Sequence, residues 1–421
     1  MLRRTLSRPT LSRPAAIALG ALALVVAVAP FLPDADSGPG IAPSGRDAAF
    51  RTSTTAGRGQ VTPAMQAEID RVVAAGAVRP GARPTPAGSA RCATFDGQRY
   101  CLGVGWTTQS QAQVQARVSY AAQAIAARRP TAVETTGDLD AAAALTRTAK
   151  LSPTGRTRRE RAELTDAARS VAKVWLLRHE IQGAPLPEGF ATAHPEAIAA
   201  RRGDSTATTT TTPSAPPTVA VNEATTASKT AAEYPQLATV LDETQVAQQS
   251  RSYWCGPTAM QMVAWGWRQK RQPQKKWARK IGTSTAGSSI TDVVRVINNN
   301  TGWDRAEHAG TFVTLDIGDF TFDEWYLVMM RHVTDYTAPV LLHPVLEKKY
   351  YPYLDDNASG HFQVGRGYDQ NPTGEPLLSY FEPWNQQAFD PSEPYIERVQ
   401  WQSAYQQFRA NQAHFQHNIG V

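Results

Sequence analysis

Three cysteines occur in the chain, and one stands where a thiol could be made to react. Cys255 lies in the run Gln249-Ser250-Arg251-Ser252-Tyr253-Trp254-Cys255-Gly256-Pro257-Thr258, after which Ala259, Met262, Val263 and Trp267 mark a helix. Pro257 suits the first helical turn, where no amide donor is required. A sulfur at a helix start faces unpaired amides whose partial positive charge favours thiolate over thiol. A thiolate attacks carbonyl carbon, and the oxyanion that forms needs donors already in place. Gln249, six residues upstream, can supply its side-chain amide beside the Cys255 backbone amide. The leaving group needs a proton from a base that works near neutral pH, which is the province of histidine. Of eight histidines, His361 is the best placed: Ser359-Gly360 leads into it and Phe362 to Asp369 continues as a strand-like run.

The combination of Gln-x5-Cys-Gly-Pro at a helix start, Gly-Thr-Ser-Thr-Ala-Gly-Ser-Ser at 282–289, and Gly-His opening a strand that ends Gly-Tyr-Asp resembles a known family. It is similar to the papain-like cysteine peptidases of the bacteriocin-leader-processing (family 39-like) type, over about residues 235–390. The resemblance implies an α+β papain-like domain, with the cysteine-bearing helix packed on a small antiparallel sheet. It also implies that Cys255 is nucleophile, His361 base and Gln249 oxyanion donor. Relatives carry Asp or Asn just before a Pro on the next strand as the third member. Here Phe381-Glu382-Pro383-Trp384 offers Glu382, one methylene longer, so the backbone must shift or the bond to the imidazole is misaimed. Asn385 and Asp369 are the fallback candidates.

These groups predict an exported thiol peptidase acting on a peptide or protein substrate through an acyl-enzyme. Two rivals use the same residues: a cell-surface binding module whose chemistry has decayed, and a thiol amidase or acyltransferase acting on cell-wall peptide. No cofactor is expected. No catalytic metal is expected either, since His308, His332 and His343 are irregularly spaced and have no companion cysteines. Asp355-x-Asn357-x-Ser359-Gly360 imitates the opening of a calcium loop, but Arg366 stands where a bidentate Glu is needed, so it reads as a polar turn presenting His361. Trp265, Trp267 and Trp303 read as core, and Trp254, next to the nucleophile, as a substrate-facing ring.

The elements that must position these groups begin with a second pair of cysteines. Asp96-Gly97 is a two-residue hairpin signal flanked by Cys-Ala-Thr-Phe and Gln-Arg-Tyr-Cys. Counting outward from it, Cys92 faces Cys101 in a close pair with Cα atoms about 4.5 Å apart, within reach of a disulfide. Helices are expected at about 63–76, 108–128, 138–149 and 158–182, then from Cys255 and from near Ser289. Strand-like runs follow at Pro339–Val345, His361–Tyr368 and Leu377–Phe381. The expected organisation is a mainly helical N-terminal domain with a hairpin at 61–200, a Thr/Pro-rich linker at 201–232, and the cysteine-bearing domain at 233–421.

Arg3, Arg4, Arg8 and Arg13 precede an uncharged stretch from Ala15 to Leu32, the layout of a signal peptide, with an uncleaved membrane anchor as the alternative for 1–33. A disordered tether is expected at 34–60. Those four arginines account for four of the six net positive charges, so the remainder carries only two. That leaves no electrostatic case for nucleic-acid binding. Export places the protein at the cell surface or beyond, with attachment to cell wall or membrane surface open, and makes a disulfide natural there.

Overall fold

The computed structural model describes residues 54–76, 85–127, 136–199, 229–384, 386–389, 391 and 394–421. The export segment at 1–33, residues 34–53 of the tether expected at 34–60, residues 201–228 of the linker expected at 201–232, and Asn385 lie outside the described residues; within the expected tether, Thr54–Ala56 is a strand paired antiparallel with Ala197–Ala199.

Asp96 and Gly97 both take positive φ, 43° and 82°, as a type I′ turn requires. The pairing follows from the turn: Phe95 with Gln98, Thr94 with Arg99, Ala93 with Tyr100, and Cys92 with Cys101. The last pair is disulfide-bonded, with Cα atoms 4.0 Å apart.

This hairpin does not stand alone. It begins a ten-stranded sheet that runs, neighbour by neighbour, from Cys92–Phe95 through Gln98–Cys101, Gly105–Thr107, Thr314–Asp316, Asn418–Gly420, Val340–Leu342, Gln363–Asp369 and Leu377–Phe381 to Val399–Ser403. Leu237–Thr239 also pairs with Gln363–Asp369. The seam between the N-terminal and C-terminal halves is a parallel contact of Trp106 with Leu315. One apolar core runs beneath it, joining Ile69, Trp106 and Leu164 to Leu315, Trp325 and Ile419. The segments expected as separate domains thus share a sheet and a core.

Helices cover this mixed α/β frame. Cys255–Arg268, Gln274–Ile281 and Ile290–Asn300 bury a second apolar cluster containing Met260, Trp277, Val293 and Ile297. The stretch expected as one helix at 158–182 is two, Pro153–Ala168 and Val171–Gln182, because Ser170 leaves helical geometry at φ −109° and ψ 5°. The helix expected from 138 starts at Ala141: the Asp140 carboxylate accepts the amides of Ala142 and Ala143 at 2.8 and 3.1 Å and caps it. That cap leaves Thr136 to Leu139 outside the helix, with Asp138 in an isolated bridge to Ser288. Besides shorter ones such as Gln274–Ile281, two helices had no expectation, Phe322–Thr334 and Ala404–Ala413, and they interleave with the strands. The first carries a capping box between Thr321 and Glu324 that the sequence displays.

Candidate active site

Cys255 is the first residue of its helix, following Trp254 at the cap position. The Thr258 amide makes the first helical bond, to the Trp254 carbonyl at 3.0 Å. The Cys255 amide therefore has no partner within the helix and points elsewhere. Gln249 is held by its own amide, which donates to the Pro383 carbonyl at 2.8 Å, and its loop folds back on the helix start. Its Nε2 donates to the carbonyls of Arg251 and Ser252, both at 3.0 Å, and to the Thr136 carbonyl at 3.3 Å. The Cys255 amide donates to the same Thr136 oxygen, also at 3.3 Å. Two donors expected to hold an oxyanion thus converge on one carbonyl oxygen.

His361 precedes the strand Gln363–Asp369 and is fully buried. Its amide donates to the Pro344 carbonyl at 2.8 Å, and its ring packs edge-on against Trp384. The ring Nε2–H donates to Glu382 Oε1 at 2.7 Å, which leaves Nδ1 buried with no hydrogen-bond partner and a free lone pair. The adjacent Phe362 amide reaches the Cys255 sulfur and favours its anionic form, which ties the strand carrying the imidazole to the thiol.

Glu382 stands just past the strand Leu377–Phe381. Pairing with Gln363–Asp369 slips by one residue between Ser379 and Tyr380, a bulge that re-aims the end of the strand where the longer carboxylate sits. Besides His361, the carboxylate accepts the Trp384 amide at 2.7 Å, Gln363 Nε2 at 2.7 Å and the Tyr353 hydroxyl at 3.0 Å. Burial alone would raise its pKa. The His361 charge and these hydrogen bonds outweigh that and hold it below the usual range. Of the fallback candidates, Asp369 uses its carboxylate to accept the Asn371 amide at 2.8 Å in the next turn, and Asn385 lies outside the described residues.

The Cys255 thiol itself is 0% exposed. Burial first, and then the Asp138 carboxylate, push it well above its ordinary value. Trp254 is half-buried under the Arg251 guanidinium, while Trp267 and Trp303 stack edge to face in the core. Asp355 accepts the Asp356 amide and Asn357 accepts the Lys348 amide, so that segment is a polar turn ahead of His361.

Sequence reasoning missed a second cluster beside this one. Asp138, His343 and His414 bring three ligand-type atoms within 4.8 Å of one another, a set able to hold a divalent cation. As arranged, each imidazole Nε2 donates to one Asp138 oxygen, at 2.8 and 2.9 Å. His343 Nδ1 faces Asn418 Oδ1 at 2.8 Å, and the Asn418 Nδ2 amide donates to the Val104 carbonyl at 2.7 Å. Its ring stacks on Phe362, next to His361. His343 is thus buried, with hydrogen-bond partners at both ring nitrogens. No spacing rule signals a trio drawn from positions 138, 343 and 414.

Residues 234–412 match the model of the family described as Peptidase_C39 like. No curated protein matches the chain.

Proposed function

With residues 234–412 as a C39-like peptidase domain, we propose that the protein is a cysteine peptidase whose nucleophile is Cys255. The observation that carries this reading is the convergence of the Cys255 amide and Gln249 Nε2 on a single carbonyl oxygen. In the reaction, His361 Nδ1 takes the thiol proton as sulfur attacks the peptide carbonyl, and the Nε2–H bond to Glu382 stabilises the imidazolium. The two amide donors hold the oxyanion. His361 then protonates the departing amine, and water releases the acyl group from sulfur. The disulfide between Cys92 and Cys101 supports work outside the cytoplasm. Among the described residues, no helix is long and apolar enough to cross a membrane.

The buried thiol favours one second reading, a peptidase-like binding module at the cell surface. A thiol amidase or acyltransferase on cell-wall peptide would use the same groups. Incubating the full chain with a peptide library separates these readings. Cleavage lost in Cys255→Ala and after iodoacetamide treatment is the expected result. Cleavage that survives both treatments, or none at all together with labelling of Cys255 no faster than an ordinary thiol, would reject the peptidase.

A further inference from the structure

The oxygen held by the Cys255 and Gln249 donors belongs to this chain's own Thr136, and the segment around it is held from two sides. On one side, the Thr136 amide donates to Ser359 Oγ at 3.2 Å and its hydroxyl to the Gly360 carbonyl, the two residues ahead of His361. On the other, the Ser288 amide donates to the Gly137 carbonyl at 2.9 Å and the Leu139 amide to the Ser288 carbonyl at 2.7 Å, a parallel bridge of Asp138 with Ser288. Gly137 has φ +100°, and a Cβ there would run into the Tyr253 backbone, two residues ahead of the nucleophile. Asp138 then places its carboxylate between His343 and His414. The charges on those rings outweigh the burial that would raise it and hold it well below the usual carboxylate range.

We propose that the Thr136–Gly137 peptide bond is a substrate of this enzyme, cut in cis. The same contacts define the substrate class as a peptide with glycine directly after the scissile bond and an acidic residue next, the latter read by His343 and His414. This inference rests on the peptidase reading. The balance is that of a hydrolysis. Cys255 Sγ bonds to the Thr136 carbonyl carbon while its proton passes to His361 Nδ1. The oxyanion stays on the Cys255 and Gln249 amides. The C–N bond to Gly137 breaks as His361 protonates that nitrogen, leaving a Thr136 thioester. One water then gives a Thr136 carboxylate and the free thiol. Cutting does not release the N-terminal piece, because the strand Gly105–Thr107 remains paired with Thr314–Asp316.

The test is the intact mass of the purified full chain, followed over time under denaturing, reducing conditions. The wild type should yield one fragment ending at Thr136 and one beginning at Gly137, their masses summing to the chain plus one water. The rate should not change with protein concentration, and Cys255→Ala should stay whole. Gly137→Val should leave the bond intact and let iodoacetamide reach Cys255 about tenfold faster than in the uncut wild type, because the segment can no longer dock. Asp138→Asn should slow the cut about tenfold through loss of a charge-assisted pair. A wild type that hydrolyses added peptides through Cys255 but keeps its own bond overturns the self-cutting and leaves the peptidase standing. A rate that rises with concentration overturns the cis step, and equal rates for Asp138→Asn overturn the acidic subsite. If no added peptide is cut and Cys255 stays unlabelled even in Gly137→Val, the peptidase reading itself has failed and this inference falls with it.

Discussion

At the scale of single residues, the departure at position 382 decides how the imidazole is held. A glutamate reaches farther than an aspartate, and here four donors, from His361, Trp384, Gln363 and Tyr353, fix both of its oxygens. The carboxylate is therefore a rigid anchor for Nε2 rather than a misaimed one. Glu382→Gln keeps the shape but removes the charge that stabilises the imidazolium, and it turns a donor toward one of the donors it now accepts. Its kcat/KM on a peptide substrate should fall about 10- to 100-fold with KM little changed, since the charge acts mainly on the transition state. A variant with wild-type kcat/KM would remove Glu382 from the proposed triad. The sequence alone shows Glu382 before a Pro and a doubt about its reach. It could not show the bulge between Ser379 and Tyr380 that sets the reach, because a bulge belongs to the pairing of two strands.

At the scale of elements, the hairpin was legible in full and the start of the helix at Ala141 was not. Two turn residues fix the register of Cys92–Phe95 with Gln98–Cys101, and every pair counted outward from Asp96-Gly97 occurs. The disulfide closes a short loop, so Cys92→Ser/Cys101→Ser should lower the unfolding free energy by about 2–3 kcal/mol in urea titration. An unchanged midpoint would show that the hairpin is held by its packing alone. The start at Ala141 turned on a choice among Asp138, Asp140 and their neighbours as cap, a choice that extended contacts of Asp138 make. Had the helix begun at 138, that carboxylate could not lie between two imidazoles.

At the scale of the whole molecule, the N-terminal half closes on the C-terminal half through a parallel strand contact and through the Asp138 cluster. His414 there is lowered to about 4, chiefly by burial and then by the charge of His343, with Asp138 opposing. The folded protein thus binds a proton at His414 less readily than the unfolded chain, whose histidines titrate near 6.5. Its contribution is present above about pH 6.5 and is lost as pH falls toward 4. The lowered Asp138 and Glu382 carboxylates add losses at lower pH still. Thermal unfolding of uncut Cys255→Ala should therefore shift down between pH 6.5 and 4, by roughly 2 kcal/mol from His414, and less in a His414→Gln background. Equal slopes in the two would assign the acid sensitivity elsewhere. At the alkaline side Lys173, buried beneath Tyr336 beside Arg331, is lowered to about 7 by burial and by that arginine. Its charging cost falls as pH rises from 7, so Lys173→Met should stabilise the protein at pH 7 by about 1–3 kcal/mol and flatten the slope between pH 7 and 10.

The sequence by itself determined the features whose physics is local. They are the cysteine at a helix start with a glutamine six residues before it, the histidine opening a strand, the hairpin and its disulfide, and the helical periods at 255 and 290. Each depends on neighbours within about two turns of chain. The tertiary structure alone decided what the Cys255 and Gln249 amides hold. Thr136, Gly137 and Asp138 meet Cys255, Ser288, Ser359, His343 and His414 across more than a hundred positions of sequence. No period or spacing encodes such a meeting, because it follows from the N-terminal half adding its strands to the edge of the C-terminal sheet.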